Sequence, residues 1–215
     1  MLRDVIFNNG EKSAYYDWNI VLTKTEIPLP KEKRHTVDII GADGVLDLSE
    51  VLSGELKFQN RTVKLTFEVM DDTMFEVTLA EISNYIHGKK LTFVITNDSE
   101  YYYSGFATIN SWECNKRKGK VVITIDAEPY KYAVDETVVI ADVNGTKRLI
   151  LMNDRKRVCP TITATGNITL TFNDNTFTVP TGTNQLVEIF LSEGENKVVL
   201  SGNGKIKFVY RRGLL

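Results

Sequence analysis

The chain has 215 residues, of which 42% are hydrophobic, 10% aromatic and 25% charged, the proportions of a packed globular protein rather than a disordered one. Its formal net charge of −2 supplies no positive field of the kind that nucleic-acid or anionic-membrane binding needs. Cys114 and Cys159 stand far apart, outside any CxxC or Cys/His grouping, so two free thiols are expected rather than a metal site.

Along the chain the pattern is mostly that of strands. Val5-Ile6-Phe7 runs into Asn8-Asn9-Gly10, whose residues tolerate positive φ, and Trp18 to Leu22 resumes an extended apolar run, which predicts an N-terminal hairpin. Pro28 and Pro30 fix φ and remove two backbone donors, so Glu26 to Lys33 is read as a loop or arm. Val37 to Ile40 then reads as a strand entering Gly41-Ala42-Asp43-Gly44.

Val63-Lys64-Leu65-Thr66-Phe67-Glu68-Val69 alternates apolar and polar residues throughout, which places Val63, Leu65, Phe67 and Val69 on one buried face. One helix follows. Thr73 and Glu76 form a capping box, Phe75, Leu79, Ile82 and Ile86 share a face, and Gly88 closes the end. Three further strands are predicted at Leu91 to Thr96, Tyr101 to Asn110 and Val121 to Ala127, the last two joined by a turn bearing Lys116-Arg117-Lys118.

Past Val158 the composition shifts to Thr, Asn and Gly. Short strands are read at Thr161 to Thr165, Ile168 to Phe172, Thr176 to Val179, Leu186 to Leu191, Lys197 to Leu200 and Lys205 to Tyr210, with turns at Asn173-Asp174-Asn175 and Gly202-Asn203-Gly204. Such spacing predicts a small β-sandwich. The expected division is an N-terminal domain over 1–135, a connecting segment over 136–157 and the sandwich over 158–215; the first part carries net −5 and residues 136–215 net +3.

The search for chemistry is largely negative. His35 lies in a basic loop, and His87 falls in the last turn of the helix, where a cationic or donor side chain suits the dipole. No cysteine, serine or carboxylate stands at a spacing that would make a catalytic pair with His87. Gly41 to Gly44 is too short for a dinucleotide loop, and Asp71-Asp72 suit the positive end of the helix better than paired acid/base work. Asp17-Trp18 and Tyr101-Tyr102-Tyr103 are read as packing aromatics, the Lys116 to Lys120 cluster as a solvated turn and Arg155-Lys156-Arg157 as a solvated linker. No catalytic residue, cofactor or metal is expected. The opening residues lack the apolar region of a secretory signal, so synthesis in a host cytoplasm is expected.

Several features nevertheless occur in a telling order: Phe7-Asn8-Asn9-Gly10 and Trp18, the Pro28/Pro30 arm, Gly41-Ala42-Asp43-Gly44, Asn60-Arg61, His87-Gly88, Tyr102-Tyr103-Ser104-Gly105 and Pro129-Tyr130-Lys131. Over residues 1–132 this series resembles the siphovirus distal tail protein family. The resemblance implies a mainly β fold with one helix (α+β), in which a split β-barrel-type ring domain precedes a galectin-like or carbohydrate-module-like sandwich. It also implies a structural role at a phage or prophage tail tip, as a homo-hexamer, singly or as paired rings, between the tail tube protein and tail-tip or receptor-binding proteins. DNA would pass only as cargo. Trp18, Gly41, Asp43, Gly44, Asn60, Arg61, His87, Gly88, Tyr103, Gly105, Pro129 and Tyr130 would be structural or interface positions. Ala42 and Phe106 depart from the pattern, standing where a basic residue is expected. The alternative reading is a carbohydrate-binding or adhesion module acting at the host surface.

Overall fold

A computed structural model describes residues 3–69, 75–115 and 118–215. The chain divides into two compact units, Met1–Lys131 and Tyr132–Leu215, earlier than the boundary expected at residue 135.

In the first unit β1 (Val5–Phe7) and β2 (Lys12–Ser13) flank the Asn8–Gly10 turn, and α1 (Ala14–Trp18) leads into β3 (Ile20–Glu26). A small hairpin, β4 (Thr36–Asp38) with β5 (Val45–Asp47), stands apart from the main sheet. There follow β6 (Arg61–Val69), α2 (Phe75–Ile86), β7 (Lys89–Ile95), β8 (Tyr101–Asn115) and β9 (Lys118–Ala127). The sheet runs β2-β1-β7-β8-β9-β6-β3 and its two ends do not pair, so the barrel is not closed.

The expected alternation in β6 is realised: Val63, Leu65, Phe67 and Val69 are buried, facing Val121, Ile123 and Ile125 of β9 within one core. Helix α2 contributes Phe75, Ile82 and Ile86 to that core, with Leu79 packed at its margin. Each fully buried Ile or Phe contributes about 1.5–3 kcal/mol, so the apolar stripe holds this lone long helix to the sheet. Thr73 of the expected capping box lies outside the described residues, as do Asp71, Asp72, Lys116 and Arg117.

The N-terminal hairpin is corrected. Strand β1 pairs with β2 and β7, whereas β3 lies at the opposite end of the sheet beside β6. Trp18 and Asn19 are not extended, because Ser13 caps a one-turn helix by accepting from the Tyr16 N–H at 3.0 Å, and Asn19 ends it in the left-handed region.

β10 (Lys131–Ala133) spans the boundary, and the second unit then holds β11 (Thr137–Asn153), β12 (Thr161–Phe172), β13 (Asn175–Val179), β14 (Gly182–Gln185), β15 (Gly194–Tyr210) and β16 (Gly213–Leu214). The segment 136–157, expected as a connection with strand character over Val134 to Leu151, contains a 17-residue strand paired along its whole length with β15. Leu186 to Leu191 is not a strand; only Leu191 bridges to Val158.

Gly202-Asn203-Gly204 is no turn either. It lies mid-strand, with Gly202 opposite Gly145 of β11 and Gly204 opposite Gly166 of β12. Gly166, Gly202 and Gly204 hold φ of +89°, +131° and +147°, and a Cβ on any of them would collide with a carbonyl oxygen of the adjoining strand. This seam lets long strands change direction where side chains could not fit. Residues on either side of it, Ile162, Ile206 and Phe208 with Leu151, Leu170, Val198 and Leu200, share one core. The Asn173-Asp174 turn is as expected, both residues having positive φ.

Candidate functional site

The residues singled out from the sequence fall into three groups. The first is a buried aromatic cluster. Trp18 is 4% exposed, with its ring centroid 5.7 Å from Phe7 and 5.4 Å, edge-on, from Tyr85. Asn8 Nδ2 donates to Tyr85 Oη at 2.8 Å, and Tyr85 Oη donates to Glu11 Oε2 at 2.8 Å. Burial, then the bond to Glu11, raises the Tyr85 phenol above its usual pKa. Asp4, which the sequence reading did not single out, completes this corner: its carboxylate accepts from the Val5 and Tyr15 amides and from Ser13 Oγ at 2.6–3.0 Å. Its only sequence signal is an acidic residue beside the first apolar run.

The second group lies along β8. Tyr103 is buried and stacks on Phe93 at 5.2 Å, and the Arg61 guanidinium lies over its ring, 5.2 Å from the centroid. Arg61 is 4% exposed, and its Nε and Nη2 have no hydrogen-bond partner; burial lowers its pKa. Asn60 donates to Asp126 Oδ2 at 3.3 Å, and the Tyr130 ring meets Phe58 edge-on at 6.0 Å, just after Pro129. Gly105 has no room for a side chain: a Cβ there would overlap the Asp126 carbonyl and lie 2.6 Å from Ala127 Cα.

At the end of α2, Gly88 takes φ +75° and its N–H donates to Ala107 O at 2.8 Å. His87 Nδ1 accepts from the Ile109 N–H at 3.2 Å. His87 stands one residue past α2, and this bond ties the helix end to β8. His87 also lines a cavity of about 700 Å³ together with Leu79, Ser83, Asn84, Ile109 and Trp112 among others, and among the described residues no Lys, Arg, Asp or Glu lines it.

The third group is the arm. Its root is zipped by the Lys33 N–H to Lys57 O and the Gln59 N–H to Lys31 O, both at 2.7 Å. Beyond the root, β4 and β5 pair only with each other and all six of their residues are exposed. Gly41 and Gly44, at φ +88° and +77°, bracket exposed Asp43 at the tip. Leu29, Val37, Ile39, Ile40, Val45, Leu46, Val51 and Leu52 are all exposed, Ile40 and Leu52 fully so. So much apolar surface on one segment marks an interaction surface.

Other candidates resolve into packing. Asp17 is held below the usual carboxylate pKa by the Ser13 amide and by Lys12 at 3.2 Å. Tyr101 lies under Lys131, which pairs with Asp98 at 2.6 Å. Arg155-Lys156-Arg157 is not a merely solvated linker: Arg155 pairs with Glu193 at 2.9 Å, Lys156 lies over Tyr132 and Arg157 over Phe190. Cys114 and Cys159 form no disulfide. Among the described residues no group of three or more His, Cys, Asp or Glu side chains could hold a metal, and no helix is long and apolar enough to cross a membrane.

What the geometry offers is therefore a scaffold with apolar surfaces to be covered. Its backbone matches the crystal structure of SPP1 Dit, described as a paradigm of the hub adsorption apparatus in phages infecting Gram-positive bacteria, with a TM-score of 0.72 over 100% of both chains. The chain has the fold of SPP1 Dit. Identity to Dit is 12%, so the likeness lies in topology and core pattern rather than in shared residues. No protein-family profile and no curated sequence matches the chain.

Proposed function

We propose that this chain is a structural subunit of a phage or prophage tail tip, a baseplate hub of distal-tail type rather than a catalyst. The observation that carries the reading is the Dit fold over the full length of both chains. The resemblance over residues 1–132 is an independent support, because it came from residue order and not from backbone shape.

In this reading six copies close a ring between the tail tube and the tip proteins, and DNA crosses its lumen. A closed ring needs a heterologous contact, one patch of a subunit meeting a different patch of the next. The arm supplies the first patch, since Ile39, Ile40, Val45 and Leu46 have nothing to bury them on their own hairpin. The net −5 over residues 1–135 suits a conduit that must not grip phosphate. Among the motif positions, Trp18, Arg61, Tyr103 and Gly105 shape the unit rather than touch a partner. Negative-stain images of the purified protein test the proposal: six-fold annular class averages are expected, and uniform single particles of monomer size would overturn it.

A further inference from the structure

Strand β11 is the terminal strand of its sheet and, among the described residues, pairs with β15 alone. Its even-numbered residues face outward on both sides of Gly145. Val138, Ile140, Ile150 and Met152 are 48%, 57%, 52% and 52% exposed. Asp142, Asn144, Thr146 and Arg148 complete the outward row; Asp142 reaches Lys205 only at 3.7 Å, and Arg148 forms no ion pair among the described residues. A long open edge with an apolar face is a template for another strand, and here the order of residues says which one.

We propose that β11 pairs antiparallel with β11 of a second copy of this chain, about a two-fold axis at Gly145. That register sets Val138 against Met152, Ile140 against Ile150 and Asp142 against Arg148, each pair occurring twice by symmetry. Apolar meets apolar and acid meets base, as favourable cross-strand neighbours must. A shift of two residues in either direction sets Asp142 against Ile150 or Ile140 against Arg148, so the pattern selects one alignment. All paired residues share parity, which keeps their side chains on one face of the joined sheet. At the centre, a Cβ on Gly145 would meet nothing within 4 Å, leaving the backbone open to close approach.

Self-complementarity is what an isologous contact requires, and this edge has it without any other partner. The lysines of β15, Lys197, Lys205 and Lys207, lie one strand further in. The contact uses the second unit alone and does not depend on the ring; joined to a ring, it would couple two rings through their second units.

The test is sedimentation equilibrium of the full chain with Asp142→Arg, Arg148→Asp and the double exchange. Each single reversal places two like-charge pairs in the contact and is expected to weaken two-fold association about ten-fold or more. The double exchange restores opposite charges in the same register and is expected to restore association. Ile140→Lys with Ile150→Lys, on an exposed face, is expected to abolish it while leaving the circular dichroism spectrum unchanged. Association indifferent to the single reversals, or not recovered in the double exchange, would overturn the proposal. Loss of rings with two-fold association intact would count against the hub reading alone.

Discussion

The guanidinium of Arg61 lies 5.2 Å from the centroid of the Tyr103 ring, inside the protein, with Nε and Nη2 lacking hydrogen-bond partners. A buried cation so placed contributes packing and specificity more than net stability. Arg61→Met keeps much of the volume and removes the orphaned donors, so its melting temperature should equal or exceed that of the parent. Arg61→Ala leaves a cavity and should cost about 2–4 kcal/mol. Thermal denaturation of both variants checks the contrast; equal losses would show that the charge itself stabilises the fold.

Alkaline pH should loosen the fold through its buried phenols. Burial raises the pKa of Tyr103 and of Tyr210 above the ordinary 10.0. The unfolded chain then releases these protons at lower pH than the folded chain. Their contribution is intact below about pH 10 and is lost as pH rises through the folded-state values. Denaturant melts between pH 8 and 11.5 should show a steepening decline that is weaker in Tyr103→Phe.

The glycine seam of the second unit should tolerate no side chain. Gly204→Ala would drive a methyl into the Thr165 carbonyl at φ +147°, and Gly166→Ala would meet Asn203 O in the same way. Either change should cost about 3 kcal/mol or more. Hydrogen exchange should localise the loss to residues 137–210, with β6 and β9 still protected.

Substitutions at the arm tip should separate assembly from folding. Ile40 is fully exposed, so Ile39→Asp with Ile40→Asp should move stability by no more than about 0.5 kcal/mol. In the hub reading the same change removes rings from negative-stain images. Rings that persist would locate the subunit contact elsewhere.

What was legible in the sequence depended on periodicity. The alternation from Val63 to Val69 and the stripe Phe75, Leu79, Ile82 and Ile86 each report one buried face, and both elements lie where they were read. The second unit was harder because Gly202-Asn203-Gly204 has turn composition, yet neighbouring strands carry glycines at the same level, which only the register reveals. Extended character was legible over Val134 to Leu151, but not that it forms a full edge strand of the second sheet, since its partner β15 lies far further along the chain. His87 was read from helix position alone; its acceptor role depends on the β8 irregularity between Ile109 and Ser111, which no local pattern encodes. The motif order pointed to the distal tail fold, and the buried Trp18 and Tyr103 agree with their reading as packing aromatics, whereas the burial of the charged Arg61 was not read.

The measurement that bears most directly on the hub reading is the mass of the purified chain by light scattering across a concentration series. A mass of six chains is predicted, or of twelve where the two-fold contact also forms. A mass that stays at one or two chains throughout, even with tail tube protein added, would contradict it.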